Sequence, residues 1–345
     1  MESLIHDLDP FVNALGNVGR MGGACPILFH SKRLLQNDTG PSDTAVGRGD
    51  QLAPTASTET PVFVIVGLVV VFGSILFGYT MHHGHVIVLL QWSEFIIIGG
   101  AAGGAFLVSN PLSVVQGSIK GVLGLLKPNP YNEKAYSELL KVLYDVFQKA
   151  RKDGLVGLES HIEDPHNSEI FKKFPFFSNH HHALPFLCDT LKVLLTGAVE
   201  DHHLAEILDL DLERQAEEAR AIPAAMAKIG DALPGFGIVA AVLGVVITMG
   251  SIGGSAQEIG EKVAAALVGT FLGILLSYGM VNPLSNALEA RLRAEHDYMS
   301  CIRTALLSFA RGDSPMTCVE FARRNIEPVE RPTFAELEAL TRKAA

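Results

Sequence analysis

Charged residues are scarce in this sequence, and cysteine and tryptophan are scarcer still. Only 19% of the 345 residues are Asp, Glu, Lys or Arg, against about 25% in ordinary globular proteins. With 48% hydrophobic residues and a mean hydropathy of +0.28, the chain does not have the composition of a disordered protein. Its net charge of −10 has the wrong sign for binding phosphate backbones, so we expect no nucleic-acid partner.

Sequence patterns that carry chemistry are also missing. The four cysteines form no C-x-x-C pair, and there is no nucleophile elbow, phosphate loop or H-E-x-x-H motif. The histidine clusters at residues 180–182 and 202–203 lack the spacing of a metal site. An enzyme that acts inside a membrane would need polar catalytic groups, and the long apolar stretches of this sequence offer only hydroxyl groups. We therefore predict that the chain is not an enzyme and has no catalytic residue, cofactor or metal.

What the chain does contain is four long runs without a charged residue. Each run is long enough for a helix that crosses a bilayer, which takes about 20 apolar residues. A buried helix in a large soluble protein explains one such run but not four. We therefore predict an all-α polytopic membrane protein whose four transmembrane helices lie near residues 62–80, 94–113, 234–255 and 263–283.

The distribution of basic residues predicts the topology. Of the 27 Lys and Arg residues, Lys262 is the only one in the two short connections, 81–93 and 256–262. Because cytoplasmic segments carry an excess of Lys and Arg, we expect both termini and the long middle segment in the cytoplasm. The interiors of the third and fourth spans contain no ionisable side chain, so an ion pathway there would take its titratable group from another chain.

The spans divide the chain into five segments. Residues 1–60 are predicted to be a flexible extension, because residues 37–60 are rich in Ser, Thr, Gly, Pro and Asp; a start codon assigned too far upstream is the alternative. The remaining segments are transmembrane helices 1 and 2 (61–113), a cytoplasmic domain (114–231), transmembrane helices 3 and 4 (232–284) and a cytoplasmic tail (285–345).

The middle segment has the pattern of an amphipathic helix. Apolar residues recur at three- and four-residue spacing over 132–151, and Gly154 predicts the end of that helix. Arg151 ends it and Glu159 sits on the next short helix, so both can project from one helical corner. On spacing alone, a solvated pair that contributes little energy is the favoured interpretation. The aromatic and basic run at residues 171–177 is expected to close a small core rather than lie on the bilayer surface.

Glycine and proline mark the predicted spans. Three G-x-x-x-G pairs allow helices to approach closely, and tight packing within one subunit explains them most simply; they are Gly99–Gly103, Gly100–Gly104 and Gly269–Gly273. Pro234 is expected to open the third span, where its missing N–H costs nothing. Pro283 is expected to close the fourth. Such prolines are either simple boundaries or points at which a helix end shifts.

Four segments together resemble a known family. They are residues 233–244, with the sequence LPGFGIVAAVLG, residues 269–279, residues 94–100 and residues 330–338. All four are similar to the MotA family of flagellar motor stator subunits, and the resemblance covers about residues 62–340. The ExbB/TolQ type, which energises outer-membrane processes, is the alternative, although it usually has three spans.

The resemblance implies a function and partners. It implies a ring of identical subunits, five in number, around MotB in a bacterial inner membrane, with a MotB aspartate as the proton carrier and the rotor protein FliG as the target of torque. Arg151 and Glu159 match the charged positions that engage FliG. Pro234 and Pro283 match the prolines linked to conformational coupling. Thr270 matches a hydroxyl facing the ion path.

Ala241 matches a position that holds threonine in related sodium-driven members. An alanine methyl group cannot coordinate Na⁺, which takes oxygen ligands. We therefore expect proton coupling.

Overall fold

The computed structural model describes residues 61–197, 200–250, 253 and 255–342. The predicted extension over residues 1–60 lies outside them, as does Cys25. The described residues belong to a single unit of the chain. Those residues form helices, turns and bends without a strand. The predicted all-α fold class is confirmed.

Four helices are long and apolar enough to cross a membrane, with mean hydropathies of 1.7 to 2.3 in their most apolar stretches. The first two are α1 (Pro61–Met81) and α3 (Trp92–Ser109), with the short helix α2 (Val86–Leu89) between them. The others belong to α9 (Asp201–Met249) and α10 (Ala256–Leu276). The number and approximate positions of the spans agree with the prediction.

The third span does not begin a helix. α9 runs for 49 residues, and Pro223 and Pro234 both lie inside it. The expectation that Pro234 occupies the first turn, where it costs nothing, is therefore wrong. A proline inside a helix removes one backbone hydrogen bond, but the acidic segment before it is itself strongly helical and packs on neighbouring helices. The chain therefore continues through the proline without a break.

The expectation that Pro283 ends the fourth span is also wrong. α10 passes into a π-helical turn, Ser277–Val281, and then directly into α11 (Asn282–Ala310), where Pro283 lies in the first turn. A π turn widens the helix by one residue, which eases the fit of a ring that has no N–H to donate. The fourth span thus joins α11 without a loop.

A second group of helices forms a domain outside the spans. Its core contains buried residues from α5 (Glu133–Asp153), α8 (Ala183–Leu195), α11, α12 (Pro315–Asn325) and α13 (Phe334–Arg342), and from the first turns of α9. We call these parts, with the segment between α5 and α8, the helical domain. Fully burying a single Leu, Ile or Phe side chain contributes roughly 1.5–3 kcal/mol, so this core is the main source of the domain's stability.

The predicted amphipathic helix is confirmed as α5. The side chain of Asn132 caps its start by accepting hydrogen bonds from two backbone N–H groups, each at 3.1 Å. Gly154 ends it with φ = 77°, a left-handed conformation that glycine adopts without strain. α5 runs alongside α11 in the same direction, since Tyr131 contacts Tyr298 and Phe147 stacks on Phe309 with ring centroids 4.5 Å apart.

Short elements complete the structure. They are α4 (Leu112–Leu125), a 3₁₀ turn (Leu155–Leu158), α6 (Glu159–Glu163), a second 3₁₀ turn (Phe171–Lys173) and α7 (Pro175–Ser178). In the aromatic and basic run, Phe171, Phe174 and Phe177 are buried in the helical domain, whereas the two lysines are exposed. The prediction that these rings close a core is confirmed.

Candidate functional site

Glycines of α9 and α10 make a close contact between two spans. A Cβ atom on Gly237 would lie 2.8 Å from the carbonyl oxygen of Gly269 and 3.1 Å from Cα of Gly273. A Cβ atom on Gly273 would lie 2.7 Å from the carbonyl oxygen of Leu233. These neighbours are backbone atoms, which cannot rotate away. The predicted role of the Gly269–Gly273 pair in tight packing within one subunit is therefore confirmed.

The other two predicted glycine pairs behave differently. No described atom lies within 4 Å of the point where a Cβ atom would stand on Gly99, Gly100, Gly103 or Gly104. Tight packing within the subunit is the wrong explanation for these four residues. α3 instead contacts its neighbours through another face, on which Glu94, Ile98 and Ala102 are buried.

The structure brings the two predicted ion-path residues together at the glycine contact. Thr270 follows Gly269 on α10, and its Cα would be 3.3 Å from a Cβ atom on Gly237. Ala241 lies across from it on α9, where its backbone N would be 3.2 Å from a Cβ atom on Gly269. Both residues are half-buried. The backbones of Thr270 and Ala241 therefore both border the glycine contact between α9 and α10.

Of the two predicted coupling prolines, Pro234 directly follows Leu233 of the glycine contact, and Pro283 lies in the first turn of α11. Pro234 is half-buried and Pro283 is exposed, and neighbouring residues link their helices. The side-chain amide of Asn282 donates a hydrogen bond of 3.1 Å to Asp231, and the hydroxyl of Ser285 donates one of 2.7 Å to the carbonyl oxygen of Pro223. Polar contacts thus connect α9 to α11 where both helices leave the apolar layer.

Arg151 and Glu159 lie far from the spans. Both are exposed, and they flank Gly154 on consecutive helices. The guanidinium Nη1 of Arg151 donates a hydrogen bond of 3.3 Å to the carbonyl oxygen of Asp313, which lies just beyond the end of α11. Since α11 has 29 residues, it spans about 43 Å. Arg151 therefore lies at the end of the helical domain away from the spans.

One titratable residue of the spans escaped the sequence analysis. Glu94, in the first turn of α3, is only 5% exposed, and its Oε2 has no hydrogen-bond partner among the described residues. A signal was present, since Glu94, Ile98 and Ala102 recur at four-residue spacing on one helix face. In the sequence Glu94 stands at the boundary of a charge-free run and opens the segment 94–100 that resembles the MotA family, but neither feature indicates that it is buried.

The first histidine cluster belongs to an aromatic network in the helical domain. The ring of His180 stacks on Tyr298 at 5.5 Å, and its Nε2 lies 3.0 Å from the hydroxyl of Tyr131. His182 Nδ1 forms an ion pair of 3.0 Å with Glu295. Tyr131, His180, His182 and Glu295 line an open surface cavity of about 600 Å³. In this network His180 packs against aromatic rings, and His182 pairs with a carboxylate.

The second cluster is exposed at the start of α9. Glu200, His202 and His203 each offer one ligand atom, and these atoms lie within 4.8 Å of one another. The sequence shows no metal-ligand spacing here, yet the structure brings these three groups together. Exposed groups of this kind are common without a bound ion, and no buried partner supports them.

The ion pair between His182 and Glu295 predicts a pH-dependent stability. Its hydrogen bond raises the pKa of His182 above the ordinary 6.5 and lowers the pKa of Glu295 below the ordinary 4.5. The contribution of His182 to the free energy of unfolding is complete below pH 6.5 and is lost as the pH rises through its raised pKa. The contribution of Glu295 is complete above pH 4.5 and is lost as the pH falls through its lowered pKa. The pair therefore stabilises most between these values.

We expect His182→Gln to lower the melting temperature at pH 5.5 and to have a smaller effect at pH 9. Because the His182 side chain is 58% exposed, the loss at pH 5.5 should stay below about 1 kcal/mol. Thermal unfolding of the purified chain in detergent at both pH values measures it. His181→Gln is the matched control, and an equal loss at both pH values in His182→Gln would contradict the prediction.

These features define the class of the protein before any relative is considered. It is a polytopic helical membrane protein in which two glycine-packed spans continue into long helices of an extramembrane domain. A model described as "Motility protein A N-terminal" matches residues 65–154, and one described as "MotA/TolQ/ExbB proton channel family" matches residues 179–300.

Whole-chain comparisons agree with those matches. Motility protein A of Salmonella typhimurium is 38% identical over 277 residues, which cover 80% of this chain and 94% of that protein. Chemotaxis protein LafT of Vibrio parahaemolyticus is 35% identical over 275 residues, 80% of this chain and 95% of that protein. A structure of C. jejuni MotAB superposes with a TM-score of 0.64 at 20% identity, covering 79% of this chain and 99% of that one. The flagellar MotAB stator complex from Bacillus subtilis gives 0.59 at 21% identity, covering 74% and 92%.

The chain belongs to the MotA family. The resemblance stated from the four sequence segments is therefore confirmed. The relatives and the N-terminal family model are those of motility proteins, which favours the MotA type over the ExbB/TolQ alternative.

Proposed function

We propose that the chain is the stator subunit of a proton-driven flagellar motor, in which it forms a proton channel with a MotB partner and turns proton flow into torque on FliG. The single observation that carries this proposal is its 38% identity to Motility protein A over 94% of that protein. The glycine-packed pair of α9 and α10 supplies the channel wall. The chain itself contributes no catalytic group, and its role is not enzymatic.

The proposed setting is a bacterial inner membrane with both chain ends in the cytoplasm. Residues 61–113 and 232–284 are the membrane segments, and residues 114–231 and 285–345 the cytoplasmic ones. Five copies of the chain surround MotB, whose aspartate carries the proton. The near-absence of basic residues from the two short connections supports this topology. The exposed glycines of α3 and the broad apolar faces of the spans remain available for lipid and for neighbouring subunits.

Protonation of the partner's aspartate would change the packing of α9 and α10 at the glycine contact. Neutralising a buried carboxylate removes its desolvation cost, which changes how closely α9 and α10 can surround it. Pro234 lies inside α9, as does Pro223, and Pro283 lies in the first turn of α11. A proline has no N–H to donate, so the backbone hydrogen bonding is weaker at these positions. Both helices then continue into the helical domain without a loop. We propose that this continuity carries the movement.

The end of the helical domain is the proposed contact with FliG. Arg151 and Glu159 are exposed there, about 43 Å along α11 from the spans. A displacement near the prolines is larger at the end of a rigid helix than at its beginning. Complementary charges on the rotor protein would then set register and orientation.

Charge reversal tests this contact. We expect Arg151→Glu and Glu159→Lys each to reduce swimming strongly, because hot-spot residues at an interface contribute about 2 kcal/mol or more. Folding should be little affected, because Arg151 is exposed and its hydrogen bond of 3.3 Å to the carbonyl oxygen of Asp313 is a surface contact. Swimming in soft agar, with membrane levels of the chain measured in parallel, gives the result.

Arg214→Glu is the matched control, since Arg214 is also exposed and pairs only locally with Glu217. Its swimming should stay near that of the parent. Normal swimming of both single reversals at Arg151 and Glu159 would refute their assignment to the rotor contact.

A further inference from the structure

Glu94 has the features of a buried site rather than of a helix boundary. It is 5% exposed, and the structure packs it against the pair of α9 and α10 rather than turning it toward the surface. Its Oε2 is a buried acceptor with no hydrogen-bond partner in the described part of the chain. An unpaired buried polar group costs about 1–3 kcal/mol. The fold therefore retains a costly group in its apolar layer.

Gly269 makes the space that this carboxyl group occupies. A Cβ atom on Gly269 would lie 2.6 Å from Oε2 of Glu94, 3.1 Å from Cβ of Ala240 and 3.2 Å from the backbone N of Ala241. Any larger residue at position 269 of α10 would therefore displace the carboxyl group of Glu94. The carboxyl group of Glu94 lies beside Gly269, which is also close to Ala241 and directly precedes Thr270 on α10. Glu94 therefore approaches the predicted ion path from the side of α3.

No hydrogen bond to Oε2 of Glu94 is present among the described residues. The carboxyl group lies beside Gly269 of α10, and the neighbours of that glycine on α9 are the uncharged residues Ala240 and Ala241. The charged residues of α10, which are Glu258, Glu261 and Lys262, lie two to three helical turns away along that helix. Asp231 is about three turns away along α9. An isolated carboxylate in an apolar medium is strongly disfavoured relative to the neutral acid, so this position favours a carboxyl group that carries a proton.

We propose that Glu94 is a protonatable relay group, which gives protons to the ion path at Gly269 and takes them back. The proposal rests on the proton-channel function proposed above and deepens it, since it adds a titratable group from this chain to the one from the partner. Ionisable residues inside membrane segments commonly mark proton pathways.

The transfer requires nothing beyond water and protons. When a proton leaves, the O–H bond of Glu94 breaks and a new O–H bond forms on a water molecule in the path. The electron pair of the broken bond stays on the carboxylate. The next proton that arrives restores the acid, so no other reactant is consumed.

The test uses the full chain in complex with its MotB partner, reconstituted in liposomes under a fixed pH gradient, with flux measured by an entrapped pH-sensitive dye. We expect Glu94→Gln to lower the proton flux at least about tenfold. A positioned proton-transfer group usually contributes about 100-fold or more to a rate, so this is a cautious figure. Glu94→Asp, which keeps a titratable group, should retain most of the flux. Glu261→Gln is the matched control at the exposed start of α10 and should conduct like the parent.

Equal flux in Glu94→Gln and the parent at every pH would overturn the relay and leave the channel function standing. A parent complex that does not conduct protons would overturn both.

Infrared spectroscopy of the reconstituted complex gives a second readout, which does not depend on whether Glu94→Gln assembles. The carbonyl band of the protonated Glu94 acid is identified by its shift in Glu94→Asp. We expect its intensity to change over the same pH range as the flux. A Glu94 band that stays constant while the flux changes would overturn the relay.

Discussion

Gly237→Leu is expected to abolish swimming and to destabilise the chain. The glycine contact leaves no room, since even a Cβ atom there would lie 2.8 Å from the carbonyl oxygen of Gly269. Overpacking an ordinary core costs about 1–3 kcal/mol. Here the loss should reach at least that range, because the obstructing atoms belong to the backbone and whole helices must move apart. Swimming in soft agar and thermal unfolding of the purified chain in detergent measure the two effects.

Gly67→Leu is the matched control on α1. No described atom lies within 4 Å of the point where its Cβ atom would stand, and leucine is well tolerated toward lipid. Its melting temperature should equal that of the parent. If Gly237→Leu swims and melts like this control, then α9 and α10 do not depend on close packing, and the proposed channel wall is wrong.

The spans were predictable because membrane crossing imposes a length and a composition that the sequence displays directly. The α5 helix was predictable for a similar reason, since a core on one side produces a three- and four-residue period. Both features are local. Neither depends on knowing which helices are neighbours.

The wrong predictions concern properties that depend on neighbours. Pro234 has the sequence signature of a helix start, but contacts of α9 with α10 and α11 hold the helix together on both sides of it. The pairs Gly99–Gly103 and Gly269–Gly273 have the same spacing, yet only the second pair meets another helix of this chain. Spacing reports the capacity for close approach, and the partner has to be found in three dimensions.

The candidate site depended on resemblance for its residues and on the structure for their arrangement. Nothing in the spacing of Arg151 and Glu159 distinguishes them from a solvated surface pair. The structure adds that they lie at the distal end of the helical domain, and that Thr270 and Ala241 flank one helix contact. It also adds Glu94, whose burial changes the expectation that another chain supplies every titratable group of the path.

Rotation is expected to continue unchanged in sodium-free medium and to stop when a protonophore collapses the proton gradient. Ala241, which carries a methyl group, and Thr270, which carries a hydroxyl, are the residues proposed to border the ion path. A dehydrated Na⁺ needs several oxygen ligands at once, because the loss of its hydration shell is otherwise uncompensated. A proton needs only titratable groups and hydrogen-bonded water. In the proposed channel, the partner's aspartate and Glu94 are the titratable groups.

The measurement is the rotation speed of tethered cells at constant proton-motive force, with external sodium varied at fixed pH. Ala241→Thr adds the hydroxyl that related sodium-driven members carry, and it serves as a comparison within the same channel. The parent should show no dependence on sodium over the whole range. If its speed instead rises with sodium, the interpretation of Ala241 is wrong, while membership of the MotA family and the packing of α9 on α10 are unaffected.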